Sequence, residues 1–336
     1  MNNTKQIFVV GNSRSGTTMM GRILNNHSSI FTFKELHFFG QLWSSEDKSK
    51  ILSDSEGVKL LSRLFCIQEF GIFNQDNPQQ FDEISEKIIQ KSELSALEIF
   101  KIFLAQISSK NQCEISCDQT PRNVFYIQEI LNNFPEARII NLVRDPRDVL
   151  LSQKNKWKRR YFGASGIPKK ESIRSYFNYH PITISKIWNT AINSIKDNED
   201  PRLKTICFEN FITYPEKNMK DICQFLEIEF DSNMLKVPSI GSSTGIDDLN
   251  KLGIDKAKLG KWKSGGLSSS ELYICQKMCS ENMNDLGYEY EIFKFPPILV
   301  IFSLITFPIK IFISFILNFH RIKNFKDLIN KRILNK

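Results

Sequence analysis

Apolar positions along this chain follow two patterns. Short, nearly unbroken apolar runs at residues 7–10, 30–33, 113–117, 137–143 and 204–208 are the mark of strands buried on both faces of a sheet, and each is followed by a turn and a stretch with helical spacing. After the first run, IFVV, Gly11 and Gly16 bracket a tight loop that opens into a helix from Thr17 onward. The run 30–39 (IFTFKELHFF) predicts a second strand carrying Lys34, Glu35 and His37 at its end. Between residues 44 and 110 the pattern is helical, with Leu60, Leu61, Leu64 and Ile67 and then Leu97, Phe100 and Leu104 at helix spacing, so this stretch is expected as a helical insert.

Further along, CDQTPRN (117–123) predicts a strand end and a Thr-Pro turn before a helix over 124–133. The strand 137–143 ends at Arg144, and Asp145-Pro146 supplies an N-cap and a first-turn proline for the next helix. Residues 155–170 (NKWKRRYFGASGIPKK) read as a basic mobile loop. Helices are expected over 182–195, from Pro215 through Leu226, and over 269–286, and a strand over 204–211 carries Glu209 at its end. Alternating strands and helices place the chain in the α/β class.

Chemistry concentrates at the strand ends. A strand, a glycine-bracketed loop and a helix N-terminus form an anion site, because the first backbone N–H groups of a helix lack intrahelical partners and the helix dipole favours negative charge. Against the triphosphate motif GxxxxGK[ST], the segment 11–18 (GNSRSGTT) has Thr17 where lysine would stand, so a P-loop kinase or NTPase is disfavoured and a phosphate or sulfate group is the expected guest. Arg14 inside the loop offers a planar fork of donors to an oxyanion. Arg144 at a strand tip and Ser152 two turns into the following helix suit a second phosphate, unless Arg144 is only a structural ion-pair partner.

Composition narrows the partners. With 41% hydrophobic and 24% charged residues the chain is globular, and its net charge of +8 is unevenly placed: eight Lys and Arg against Asp327 fall within residues 293–336, leaving about +1 for the remaining 292. A general nucleic-acid-binding body is therefore not expected. The seven cysteines, at 66, 113, 117, 207, 223, 275 and 279, are an odd number without metal-ligand spacing, and the N-terminus has no leader pattern. The expectation is buried thiols in the cytoplasm.

The motifs RSGTT (14–18), VRDPRDVLLS (143–152), FENFITYPEKNMKDICQFLEIEFD (208–231) and GKWK (260–263) stand in an order that resembles the sulfotransferases using 3′-phosphoadenosine 5′-phosphosulfate, closest to the bacterial, tyrosylprotein and Golgi glycan type. The resemblance covers about residues 6–291 and implies a three-layer α/β/α fold with a central parallel sheet and a P-loop-like phosphosulfate-binding loop. It implies that Arg14, Ser15, Gly16, Thr17 and Thr18 hold the phosphosulfate, that Arg144 and Ser152 hold the 3′-phosphate, and that Lys261, Trp262 and Lys263 cover the nucleotide. It further implies a reaction needing no metal, with Glu35 as the general base and Arg14 and His37 beside it. Relatives carry lysine before the Ser/Thr-Pro of the third strand. This chain has Gln119 there, so Arg14 alone or a second lysine such as Lys34 must supply the charge, and a non-catalytic, membrane-tethered nucleotide-binding protein is the alternative.

The last segment, 293–336, reads as a membrane-associating tail beyond a sulfotransferase domain of residues 1–292. Fifteen of the twenty residues 298–317 are Ile, Leu, Val or Phe, worth roughly −4 to −9 kcal/mol on an insertion scale against about +2.5 to +3.5 for Lys310. A re-entrant or interfacial arrangement avoids carrying the basic residues after 319 across the bilayer, with Phe319, Ile322, Phe325, Ile329 and Ile333 near one face of a second, basic helix that lies on anionic lipid; a helix pair packed on the domain or at a dimer interface is the alternative. The expected location is the cytoplasmic face of a membrane, and the expected acceptor is a hydroxyl of a glycan or glycolipid.

Overall fold

The structure is a computed structural model and describes residues 5–90, 93–240, 247–319 and 331. At its centre is a five-stranded parallel sheet in the order β2-β5-β1-β6-β7, formed by β1 (Lys5–Gly11), β2 (Ile30–Phe33), β5 (Ile115–Asp118), β6 (Arg138–Val143) and β7 (Leu203–Cys207). Side chains alternate across it. Phe8 and Val10 of β1 point into one core, with Phe33, Phe38, Phe39 and Phe100; Ile7 and Val9 point into the other, with Met20, Ile23, Phe211 and Ile222. Helices cover both faces, which gives the expected three layers.

One layer holds α1 (Thr17–Asn25), the short α9 (Phe208–Thr213) and α10 (Pro215–Leu226). The other holds α5 (Ile127–Asn133) and the helical insert, in which α2 (Asp54–Phe70), α3 (Asp82–Ile89) and α4 (Ala96–Lys110) are tied by the two-residue antiparallel strands β3 (Ile51–Leu52) and β4 (Leu94–Ser95). The insert docks through aromatics: the Phe38 and Phe100 rings stack 4.0 Å apart, with Phe39 and Phe134 edge-on to Phe100. Helices α6 (Pro146–Lys154), α8 (Pro181–Lys196) and α11 (Ser269–Asp285) form a third packed group around Trp188. A second small ribbon pairs β8 (Pro238–Ser239) with β9 (Asp248–Leu252). Cys66, Cys117, Cys223, Cys275 and Cys279 are buried thiols.

The second strand is shorter than 30–39. It ends at Phe33, which pairs with Asp118, and beyond that point β5 turns away through Thr120-Pro121 and leaves no ladder partner. The Leu36 amide is held instead by the Thr120 hydroxyl at 3.1 Å, and His37 adopts the left-handed conformation (φ 51°), which releases Glu35 from the sheet. For the same reason β7 stops at Cys207, opposite Val143, and Glu209 belongs to α9 and not to a strand end. The helix expected over 124–133 begins as a 3₁₀ turn, Pro121–Tyr126. The basic stretch 155–170 is not a simple loop: Lys156–Tyr161 is a 3₁₀ helix pinned by the fork of Arg159 on Asp247 at 2.8 and 3.2 Å, and α7 (Lys169–Phe177) starts at its end.

The tail forms α12 (Leu299–Asn318), which packs on α7 and α11. Of the second helical face expected in the tail, Ile322, Phe325, Ile329 and Ile333 lie outside the described residues.

Phe100 supports both the insert and the segment that carries Glu35. Phe100→Ala is expected to lower the stability of the full-length protein by about 3–5 kcal/mol, measured by urea unfolding in mild detergent; a loss below about 1 kcal/mol would contradict this role for the Phe38–Phe100 stack.

Candidate active site

Every strand of the sheet runs toward the same edge, and β1 sits at the point where the chain, having placed β5 on one side, places β6 on the other. Ligands of open α/β sheets bind at such a switch point, beyond the carboxyl ends of the strands. Here the segments leaving β1, β2, β5, β6 and β7 line one cleft with a cavity volume of about 110 Å³, with Arg14, Thr17, Thr18, Glu35, Pro121, Arg144, Ser152, Phe208, Lys258 and Lys261 in its walls.

The loop after β1 requires its glycines. A Cβ on Gly11 would lie 2.4 Å from the Leu142 carbonyl oxygen and one on Gly16 2.5 Å from the Phe208 ring, and both residues have positive φ. Arg14 also takes the left-handed conformation (φ 81°), a sparsely populated one for a non-glycine residue. Helix α1 starts at Thr17 with no side-chain cap and no acidic residue in its first turn. Its leading amides therefore face the cleft as an anion site. Ser15, Gly16, Thr17 and Thr18 make up this loop and helix start, Ser15 being buried and its amide bonded to the Asn12 carbonyl.

Arg14 Nε donates to Ser152 Oγ at 2.9 Å, and Arg144 Nη1 donates to the Arg14 carbonyl at 3.3 Å. These bonds clasp the phosphate loop to α6. Arg144 is further fixed by Asp148 (3.2 Å), by the Lys258 carbonyl (2.7 Å) and by the Phe208 ring, 4.5 Å beneath the guanidinium. Asp148 also accepts from the Gly260 and Trp262 amides at 3.1 and 3.0 Å, so one buried carboxylate seats both Arg144 and the GKWK turn. The Trp262 ring stacks on Arg147 at 3.9 Å and is buried against Leu151 and Leu272, beneath the cleft and not in its wall. Of the three residues in that turn, Lys261 lines the cleft; Lys263 lies over the Trp262 ring.

Glu35 faces the phosphate loop from the opposite wall. Its carboxylate is 3.2 Å from His37 Nε2. Burial alone would raise the Glu35 pKa, but the His37 hydrogen bond and charge, with Lys156 and Arg122, outweigh it and hold the group below the usual glutamate range. Behind it Asp118 is fully buried, accepting from Thr120 (2.6 Å) and Asn123 (2.9 Å), and burial pushes it up to about 6. Arg14 is pushed down to about 10, first by burial and then by Arg159 and Arg144, and stays a cation at neutral pH.

Gln119 is buried with its stem against Gly21 of α1 and does not line the cleft. Lys34 does not substitute for it, because its ammonium bonds the Glu69 carbonyl at the end of α2. Cations that act on Glu35 are Arg122 and Lys156, the latter passed over by sequence reasoning within a basic run. Though the residue is exposed overall, its ammonium is crowded by protein and by Arg14 and Arg122, which pushes it down to about 8. No helical spacing marked it, because α6 ends at Lys154 and Lys156 opens the 3₁₀ helix that follows.

A profile described as "Sulfotransferase family" matches residues 6–232. The chain is 22% identical to protein-tyrosine sulfotransferase 1 of Danio rerio over 258 residues, 73% of this chain and 59% of that protein. It is 23% identical to the Homo sapiens protein of the same name over 259 residues, 73% of this chain and 57% of that one. An uncharacterized protein of Aquifex aeolicus is 23% identical over 263 residues, 77% of this chain and 30% of its own length. The alignments thus span less than two thirds of each of these relatives. Among solved structures, the sulfotransferase domain of the curacin biosynthetic pathway superposes with a TM-score of 0.52 at 22% identity, covering 85% of this chain and 98% of that domain. The sulfotransferase domain of the Synechococcus PCC 7002 olefin synthase gives 0.51 at 20% identity, covering 85% and 96%. The profile match takes in well over half of the chain and all the cleft segments from the phosphate loop to α9, and the chain belongs to the sulfotransferase family.

Proposed function

We propose that this protein transfers the sulfuryl group of 3′-phosphoadenosine 5′-phosphosulfate to a hydroxyl of a membrane-borne glycan or glycolipid, with Glu35 as general base. The observation that carries the proposal is the meeting of an uncapped helix N-terminus, Arg14 and an ionised Glu35 in one cleft, with Arg144 and Ser152 bonded to Arg14 in the same wall. The bound donor supplies an activated sulfuryl group. The α1 amides, Thr17, Thr18 and Arg14 are placed to hold its phosphosulfate, Arg144 and Ser152 its 3′-phosphate, and Lys258 and Lys261 add positive charge along the same wall. The residues fit such a guest, since the cleft gathers cations whose mutual repulsion Asp148 and Asp247 offset only in part.

Glu35, held below its ordinary pKa, is available to take the proton of the acceptor hydroxyl as that oxygen bonds to sulfur and the phosphosulfate bond breaks. Loop amides and Arg14 stabilise the charge that develops on the departing phosphate. Lys156 stands in for the lysine that Gln119 replaces, next to Glu35 and Arg14, and His37 orients the base. Supporting a membrane-borne acceptor is the apolar tail helix, and the insert of residues 44–110 is the proposed acceptor wall. Peptide tyrosine is the second reading, favoured by the names of two relatives.

A charge-assisted bidentate contact contributes roughly 1.5–3 kcal/mol, so Arg144→Ala is expected to weaken binding of the product nucleotide by about tenfold to a hundredfold in calorimetry; unchanged binding would remove Arg144 from the nucleotide site. Glu35→Gln keeps the shape and removes the base, and turnover is expected to fall by about 10²- to 10⁴-fold with nucleotide affinity nearly intact. Near-normal turnover would exclude Glu35. The pH profile of kcat/KM reports groups of the free enzyme: it is expected to fall as pH rises through about 8, where Lys156 loses its proton. Glu35 places the acid limb below 4.5. Lys156→Arg is expected to abolish the alkaline fall, and an unaltered profile would assign that limb to another group.

A further inference from the structure

Helix α12 reverses the usual amphipathic arrangement. Its polar residues are Ser303, Thr306, Lys310, Ser314 and Asn318, which recur every three or four positions and so form one stripe. Lys310, Ser314 and Asn318 of that stripe bond the protein through their side chains, while the Ser303 and Thr306 hydroxyls bond carbonyls of α12 itself. The His180 ring accepts the Ile182 amide at Nδ1, so Nε2 carries the proton and donates to the Ser303 carbonyl at 3.2 Å. Lys310 donates to the Tyr179 carbonyl at 3.2 Å, beside the Tyr176 and Tyr179 rings. Asn178 Oδ1 accepts from both Ser314 (2.7 Å) and Asn318 (2.9 Å), and Arg174, braced by Glu171, donates to the Leu317 carbonyl at 3.0 Å. The contacts run from Ser303 to Asn318, about 22 Å of helix at 1.5 Å per residue.

The opposite side of α12 is apolar and open. Ile301, Phe302, Ile305 and Phe312 are each more than 60% exposed, with Leu304, Ile309, Phe315 and Ile316 alongside. A water-facing helix shows the reverse arrangement, polar out and apolar in. This patch is larger than scattered surface apolar residues account for, and α7 continues it with exposed Ile173 and Tyr176, next to exposed Lys169 and Lys170. The sequence following Phe319 adds Arg321, Lys323, Lys326, Lys331, Arg332 and Lys336 against Asp327 alone.

We infer that α12 is an in-plane membrane helix, clamped to the domain by its polar stripe and seated with its apolar face in the interfacial region of an anionic lipid bilayer. The inference deepens the membrane-borne acceptor reading above and rests on it. A bilayer fits the face on three counts: it is a continuous apolar strip with no polar interruption, aromatic and lysine side chains flank it, and the adjoining sequence is basic. A spanning helix is ruled out by the clamp, because a domain fixed along the helix would have to enter the hydrocarbon with it, and releasing it would leave Lys310, Ser314 and Asn318 without partners there. Helix α7 also packs on the 3₁₀ helix that begins at Lys156, so the membrane face lies one helix away from the cation beside Glu35.

The test uses the full-length protein, with flotation on phosphatidylcholine vesicles made with and without phosphatidylglycerol, and protease protection of a C-terminal tag in sealed vesicles. The wild type is expected to float, more completely with phosphatidylglycerol, and to keep its tag on the same side as the domain. The double variant Ile305→Lys/Phe312→Lys, altered only on the open face, is expected to lose flotation by at least about tenfold while product-nucleotide binding by calorimetry stays unchanged, which separates this inference from the donor-site reading. Flotation of that variant at the wild-type level, protection of the tag by the vesicle, or a discrete soluble dimer that does not float would each overturn the inference.

Discussion

The clasp between the phosphate loop and α6 is the interaction on which the rest of the site depends. Arg14 reaches Ser152 and Arg144 reaches back to the Arg14 carbonyl, so two elements that leave different strands are held as one wall. The cost is crowded positive charge. Arg14, Arg144, Arg159, Lys156 and Lys258 influence one another across the cleft, and burial with this repulsion lowers the pKa of Arg14, Lys156 and Lys258. Asp148 and Asp247 offset part of it by seating Arg144 and Arg159. An anionic guest relieves the remainder, which supports the proposed donor site.

The sheet and its phosphate loop were legible because β-branched runs, bracketing glycines and the Asp145-Pro146 cap are local signals. Helix α10 was read to its residues, since Pro215 fixes its start. What failed were strand ends: the continuation of β2 to residue 39 and of β7 to 211 looked apolar enough, but a strand stops where its neighbour stops, and that information lies in β5 and β6. The same distinction holds in the site. Arg14, Glu35, Arg144 and Ser152 meet in one cleft as their motifs implied, whereas Lys156 was hidden in a basic run, and Trp262, expected over the nucleotide, lies beneath the cleft against Arg147.

The tail illustrates how hydropathy and geometry answer different questions. Length and composition give a helix able to cross a bilayer. The placement of five polar residues on one stripe, and of Asn178, Tyr179 and His180 opposite that stripe, determines which way the helix lies. Lys310, which counts against insertion on a hydropathy scale, is part of the clamp.

The most direct test of the account is transfer of labelled sulfate from 3′-phosphoadenosine 5′-phosphosulfate to lipid extract of the source cells in vesicles, with a metal chelator present, run beside soluble sugars and tyrosine peptides. The account predicts donor-dependent label in the lipid fraction. Binding of the donor without transfer to any acceptor, or turnover that requires ATP and magnesium, would contradict it.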